Sequence, residues 1–217
     1  MPGLVLGASC APGKAQRGAL AFATQSGAVA TAMLDWANSR ALGFSHFISM
    51  GDSADVDFGD MLDYLASDLK TRAILLYIES IDSPRKFTSA ARAAARNKPV
   101  IVVKSGRSPH VQLAAASHTG AMASEDAVYD AAFHRVGVSR VYDIGEIFDC
   151  AELLGRQKLP HGPRLAIVTN AGGPGVMASA ALLAAGGELA RLSEPTMARL
   201  HECLPTIWSH GNPVDVL

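Results

Sequence analysis

Continuous apolar runs alternate with amphipathic stretches along most of the chain. Residues 18–24 (GALAFAT), 44–50 (FSHFISM), 73–78 (AILLYI) and 99–104 (PVIVVK) have strand length and are apolar enough for burial on both faces. Between them, residues 28–39, 58–67 and 84–96 carry helical spacing, with Val29, Met33 and Trp36 on one face of the first. A helix over 124–136, a short strand over 138–142 and a helix over 144–154 complete the run. Apolar strands alternating with helices predict an α/β fold built on a parallel sheet with both faces covered. In such sheets ligands gather at the carboxyl ends of the strands. The residues that close each strand are therefore the ones to read for chemistry.

Two breaks interrupt the pattern. Residues 1–18 (MPGLVLGASCAPGKAQRG) are rich in Gly and Pro without periodicity and read as a linker or the tail of an upstream domain. Residues 155–163 (GRQKLPHGP) gather charge, Pro and Gly and mark a boundary. A second unit starts there with a buried strand over 164–169 (RLAIVT), followed by an alanine-rich helix over 176–185. The expected organisation is a tail over 1–18, a first domain over 19–155 and the start of a second over 163–217.

Composition narrows the class. Of 217 residues, 49% are hydrophobic and only 6% aromatic, with 20 glycines, so the interior is made of Ala, Val, Ile and Leu, as suits α/β layers. A net charge of -1 argues against nucleic acid or an anionic membrane as the main partner. Cys10, Cys150 and Cys203 lie far apart without a CxxC pair and read as reduced thiols, not a disulfide frame or zinc site. His46, His110, His134, His161, His201 and His210 show no metal-ligand spacing, and no metal site is expected. No apolar run is long enough to span a bilayer and the N-terminus lacks a signal-peptide pattern, so the expected location is the cytoplasm.

The strand ends carry the candidate chemistry. Thr24-Gln25-Ser26-Gly27 leads from strand to helix, where free N–H groups and the helix dipole suit an anion. Ser26 also reads simply as an N-cap. Asn170-Ala171-Gly172-Gly173-Pro174-Gly175 is a stronger anion signal, because three glycines allow close backbone approach and Pro174 loses no needed donor in a first helical turn. It matches neither a Walker A loop nor GxGxxG with its acidic partner, and a tight turn without ligand fits it too. Residues 52–57 (DSADVD) lack the glycine and glutamate of an EF-hand, so Asp57 and Asp60 are assigned to capping the helix over 58–67. Glu79, closing its strand, is either a solvated carboxylate or the acceptor that orients an imidazole. Arg85, Lys86, Arg92 and Arg96 read as a solvated helix face. Ser117-His118-Thr119-Gly120-Ala121 is a small, polar loop whose imidazole is either a surface side chain or one reached by a small reactant. Two helix N-termini facing that loop would hold a phosphoryl group on His118.

These motifs, in this order, resemble the α-subunit region of the NDP-forming acyl-CoA synthetases, relatives of succinyl-CoA synthetase. TQSGA at 24–28, Gly51-Asp52, YIES at 77–80, KSGRS at 104–108, SHTGA at 117–121, TNAGGPG at 169–175 and NPVDV at 212–216 carry the resemblance over essentially the whole chain. It implies two flavodoxin-like parallel-sheet units, the second truncated. It also implies that His118 is phosphorylated in turnover and that Glu79 orients it. Gln25, Ser26 and Gly27, with Asn170, Gly172 and Gly173, would bind the phosphate. The family's CoA-binding domain would precede residue 4, and the second domain would run past residue 217, so the chain reads as a piece of a longer protein. An ATP-grasp subunit or domain would be its partner, in an oligomer. The whole would use acyl-CoA, phosphate, CoA and ADP/ATP (or GDP/GTP) with magnesium, none tightly bound by this piece alone. One rival reading is the synthetase-like regulatory region of a bacterial lysine acetyltransferase, which the presence of His118 disfavours. Another is an anion-binding module without chemistry.

Overall fold

The computed structural model describes residues 13–106 and 126–217. The chain divides into two compact units, residues 1–158 and 159–217.

The first unit is built on nine- to three-residue strands, β1 (Gln16–Thr24), β2 (Gly43–Ser49), β3 (Ala73–Ile78), β4 (Val100–Lys104) and β5 (Ser139–Val141). All pair in parallel, in the order β2-β1-β3-β4-β5. This is the doubly wound order in which the chain leaves β1 toward one edge and returns to β3 on the other side. Alternate residues of β1 serve opposite layers. Leu20 and Phe22 join a core with Met33, Ala37, Ile147 and Ala151, whereas Ala21 and Ala23 join one with Leu62, Leu65, Ala90 and Phe133. The helices of the first layer are α1 (Gly27–Ser39) and α5 (Ile144–Arg156). Those of the second are α2 (Phe58–Ser67), α3 (Pro84–Ala95) and α4 (Asp126–Val136). The five-stranded α/β architecture follows the alternation of apolar runs and helices.

Local chemistry sets the helix starts. Asp57 Oδ1 accepts from the N–H groups of Gly59 (2.8 Å) and Asp60 (3.1 Å), and Asp60 Oδ2 accepts from Asp57 N–H (3.1 Å), completing a capping box. Lys86, exposed on the solvated face expected of α3, bridges both carboxylates at 2.6 and 3.2 Å. Asp143 caps α5 by accepting from Glu146 N–H at 2.9 Å.

Gln16 and Arg17, expected in the tail, are the first residues of β1, where Gln16 pairs with Gly43. The two backbones approach so closely that a Cβ on Gly18 would lie 2.1 Å from Gly43 O, and one on Gly43 2.1 Å from Arg17 O. Only glycine at both positions lets the strand continue through the register shift that follows Arg17.

The second unit departs further from expectation. The strand expected over 164–169 is two short ladders, β6 (Arg164–Leu165) and β7 (Val168–Thr169). They pair with β8 (Glu188–Leu189) and β9 (Val214–Asp215) respectively. Where the partner changes, Asn212 replaces the ladder: its Oδ1 accepts from Ile167 N–H (2.9 Å) and its Nδ2 donates to Leu165 O (2.8 Å) and Ala190 O (2.9 Å). Nor is the strand buried. Leu165 is 50% and Val168 71% exposed, because ladders two strands wide cover little of either face. Helix α6 (Gly172–Ala184) begins four residues before the expected start, taking the glycines into its first turn. Helix α7 (Glu194–Cys203), capped by Ser193, had no apolar stripe to announce it and buries no residue of its own. Trp208 is fully buried, its indole N–H donating to His201 Nδ1 at 3.1 Å.

Candidate functional site

In the first unit the carboxyl ends of β1 and β3 lie side by side at the point where strand order reverses. Gln25, following β1, ties the two together. Its side-chain Oε1 accepts from the N–H groups of Glu79 (2.7 Å) and Ser80 (3.1 Å), and its Nε2 donates to Ser80 Oγ (3.4 Å). Its own N–H donates to Tyr77 O at 3.4 Å. Gln25 thus acts as a latch on the backbone that carries Glu79. Glu79 is half-buried at this edge.

Beside the latch stands the N-terminus of α1. Thr24 Oγ1 accepts from Ser26 N–H (2.9 Å) and donates to Ser26 O (3.2 Å), closing the turn. Ser26 Oγ accepts from Val29 N–H at 3.4 Å, so Ser26 is an N-cap. The first N–H groups of a helix have no acceptor within it. Among the described residues those of Gly27 and Ala28 keep that freedom, and a Cβ on Gly27 would meet nothing within 4 Å.

The second unit repeats the device. Thr169 Oγ1 accepts from Ala171 N–H (3.2 Å) and donates to Ala171 O (2.9 Å). Ala171 has no side-chain oxygen with which to cap α6, so the Gly172 and Gly173 N–H groups head the helix free of a side-chain acceptor. Pro174, next in the turn, has no N–H to satisfy. A Cβ on Gly173 would meet nothing within 4 Å, whereas one on Gly175 would lie 3.0 Å from Thr169 Cγ2 and 3.3 Å from Pro213 Cβ. Gly173 is open and Gly175 is packed. Asn170 is exposed. The Asp215 carboxylate stands 3.5 Å from where a Gly172 Cβ would be, a placement the helix dipole favours.

His118 and its loop lie outside the described residues. Lys104, the last residue of β4 and the first of KSGRS, had been given no role of its own. It is paired in register with Ile78, one residue before Glu79. Its ammonium group is buried, donates to Ser105 O at 2.5 Å and sits 4.7 Å from the centre of the Tyr129 ring. Burial lowers the Lys104 pKa, against the opposite pull of Asp126; Arg140 lowers it further and Glu79 raises it. A lysine closing an otherwise apolar strand was the signal for it.

Residues 17–154 match the model of the succinyl-CoA ligase-like flavodoxin domain. The chain belongs to that family. It is 43% identical over 202 residues to acetate–CoA ligase (ADP-forming) I of Archaeoglobus fulgidus, covering 93% of this chain and 29% of the relative. To the α subunit of acetate–CoA ligase (ADP-forming) I of Pyrococcus furiosus it is 42% identical over 212 residues, covering 97% of this chain and 46% of the subunit. Among solved structures, the dinucleotide-forming acetyl-coenzyme A synthetase 1 of Candidatus Korarchaeum cryptofilum, in complex with phosphate and ADP, superposes with a TM-score of 0.88 at 33% identity. That match covers 95% of this chain and 45% of the other. The chain therefore spans less than half the length of these relatives. Its flavodoxin-like domain is the part that the family model describes. Among the described residues no helix is long and apolar enough to cross a membrane, and no three His, Cys, Asp or Glu side chains group as metal ligands.

Proposed function

We propose that this chain is the phosphohistidine-bearing part of an NDP-forming acyl-CoA synthetase. The complete enzyme would convert acyl-CoA, phosphate and ADP or GDP into carboxylate, CoA and ATP or GTP. Phosphate attacks the thioester carbonyl, the C–S bond breaks and CoA leaves, giving an acyl phosphate. His118 Nε2 then attacks phosphorus, the bond to the acyl oxygen breaks, and the carboxylate departs. The phosphoryl group finally passes to the nucleoside diphosphate. Magnesium, bound with the nucleotide, would neutralise the charge developing on the transferring oxygens.

The observation that carries this reading is the Gln25 latch, which fixes the Glu79 backbone at the strand-order reversal beside the open N-terminus of α1. From there the Glu79 carboxylate would accept the Nδ1–H of His118 and leave Nε2 as the nucleophile. The N–H group of Gly27 with Ser26 at the start of α1, and those of Gly172 and Gly173 with Asn170 at the start of α6, would each offer phosphoryl oxygens a helix N-terminus. With its N–H and Oε1 already engaged, Gln25 would contribute by shaping the site. The matching threonine-closed turns at Thr24 and Thr169 support treating the two helix starts as one kind of element used twice.

In this reading residues 19–155 are the flavodoxin-type domain and 163–217 open a second, truncated one. A CoA-binding domain upstream and an ATP-grasp subunit or domain complete a cytoplasmic, oligomeric enzyme. The similarity to acetate–CoA ligases along the chain favours turnover over the regulatory alternative. The test is the intact mass of the chain after incubation with ATP, magnesium and an ATP-grasp partner from the same organism. One acid-labile phosphoryl group is expected, absent in His118→Asn. Its absence from the wild-type chain, with a partner that binds nucleotide, would sink the reading. Glu79→Gln should keep the fold and slow phosphorylation by about 10²-fold; near-normal phosphorylation would remove its orienting role.

A further inference from the structure

The cationic face of α3 is not uniform. Lys86 is taken up by Asp57 and Asp60, and Arg40, Arg140 and Arg156 likewise reach carboxylates. Arg85 and Arg92 form no ion pair among the described residues, and neither does Arg135 in the last turn of α4. These three unpaired arginines line one open groove of about 460 Å³ together with Pro84, Thr88 and Ser89. Among the described residues no carboxylate lines it.

The helix dipole favours Arg92 and Arg135 in the last turns of their helices, but stability does not explain Arg85. Arg85 stands in the first turn of α3, where the helix dipole disfavours a cation, in a turn without an acidic residue or a side-chain cap from Ser83. Nor does the overall charge, since the protein carries a net charge of -1 and this basic surface is local. The groove is open, and among the described residues Pro84 is its only apolar lining residue. It therefore does not enclose a ligand as small-molecule sites do. What it offers is three guanidinium groups. Arg85 and Arg92 are seven residues apart on one helix, which is two turns or roughly 10 Å. Guanidinium groups match carboxylates in a two-pronged geometry that fixes orientation as well as charge.

We infer that the groove between α3 and α4 docks an acidic polypeptide segment that presents carboxylates about two helical turns apart. This surface stands independently of the phosphohistidine reading, because none of its residues takes part in that chemistry.

The test is fluorescence anisotropy with a labelled, alanine-based helical peptide carrying glutamates two turns apart on one face. The wild-type chain should bind it at low ionic strength and weaken as salt rises. The triple variant Arg85→Gln, Arg92→Gln, Arg135→Gln should bind at least about tenfold more weakly, the sum expected of three exposed charge pairs. A control variant, Arg40→Gln with Arg156→Gln, should bind as the wild type does. All three groove positions are exposed, so circular dichroism should show the triple variant folded. Failure of the wild-type chain to bind the peptide would overturn the proposal. So would equal binding by the triple variant, or equal binding of the same peptide with glutamine at each glutamate. Sodium tripolyphosphate binding one-to-one where the peptide does not would overturn it as well, reassigning the groove to small polyphosphates.

Discussion

Replacing Gln25 with leucine removes the single oxygen on which the Glu79 and Ser80 N–H groups converge, at 2.7 and 3.1 Å. Leucine is close to glutamine in size, so the change subtracts hydrogen bonds with little change in volume. Each amide bond contributes a net ~0.5–1.5 kcal/mol, and two half-buried N–H groups left without an acceptor place the loss at about 2 kcal/mol. That corresponds to roughly 30-fold in an opening equilibrium. Hydrogen exchange followed by NMR reads it directly: the Glu79 and Ser80 amides should exchange about 30-fold faster than in the wild type. The urea midpoint should fall by a matching amount at unchanged slope. If the two amides exchange at wild-type rates in a folded variant, Gln25 does not hold the β3 end. The physical basis for placing Glu79 would then be gone.

Other outcomes follow from single contacts. Burial lowers the pKa of His46, against the opposing pull of Asp68, and its ring bonds Tyr64 Oη and Thr71 Oγ1 at 3.2 and 3.4 Å. The unfolded chain therefore takes up a proton near pH 6.5 while the folded chain does not. The stability contributed by His46 is present above that pH and is lost as pH falls through the lower folded-state value, with a slope of at most about 1.4 kcal/mol per pH unit. Urea titrations between pH 7.5 and 5 should show this slope in the wild type and less of it in His46→Gln, the pH values being about those that bracket an ordinary histidine; equal slopes would refute the assignment. In the second unit, Gly175→Val should lose about 1–3 kcal/mol, because its side chain enters space held by Thr169 and Pro213, whereas Gly173→Ala should be neutral or slightly stabilising. Denaturant melts of the two variants with equal losses would contradict the distinction between a packed and an open glycine.

The alternation of apolar runs and helical spacing sufficed for the first unit because fully apolar strands fit only a sheet covered on both faces. Asp57 and Asp60 were legible as a cap for a similar reason, since capping acts over three residues and is written in local sequence. Ser26 was legible as an N-cap in the same way. What only tertiary structure decided depends on atoms distant in the chain. Gln25 became a latch because β3 lies next to β1, bringing together residues 54 and 55 positions apart. Asn212 stands in for a sheet ladder because the strand over 164–169 changes partners midway, which no periodicity encodes. The arginines of α3 looked alike along the helix. The separation of a paired Lys86 from the unpaired Arg85 and Arg92 was set by α2 on one side and α4 on the other. Hydrophobic pattern and capping are local and survive as sequence. Hydrogen-bond partners and charge pairing across elements are properties of neighbours, and only the fold assigns neighbours.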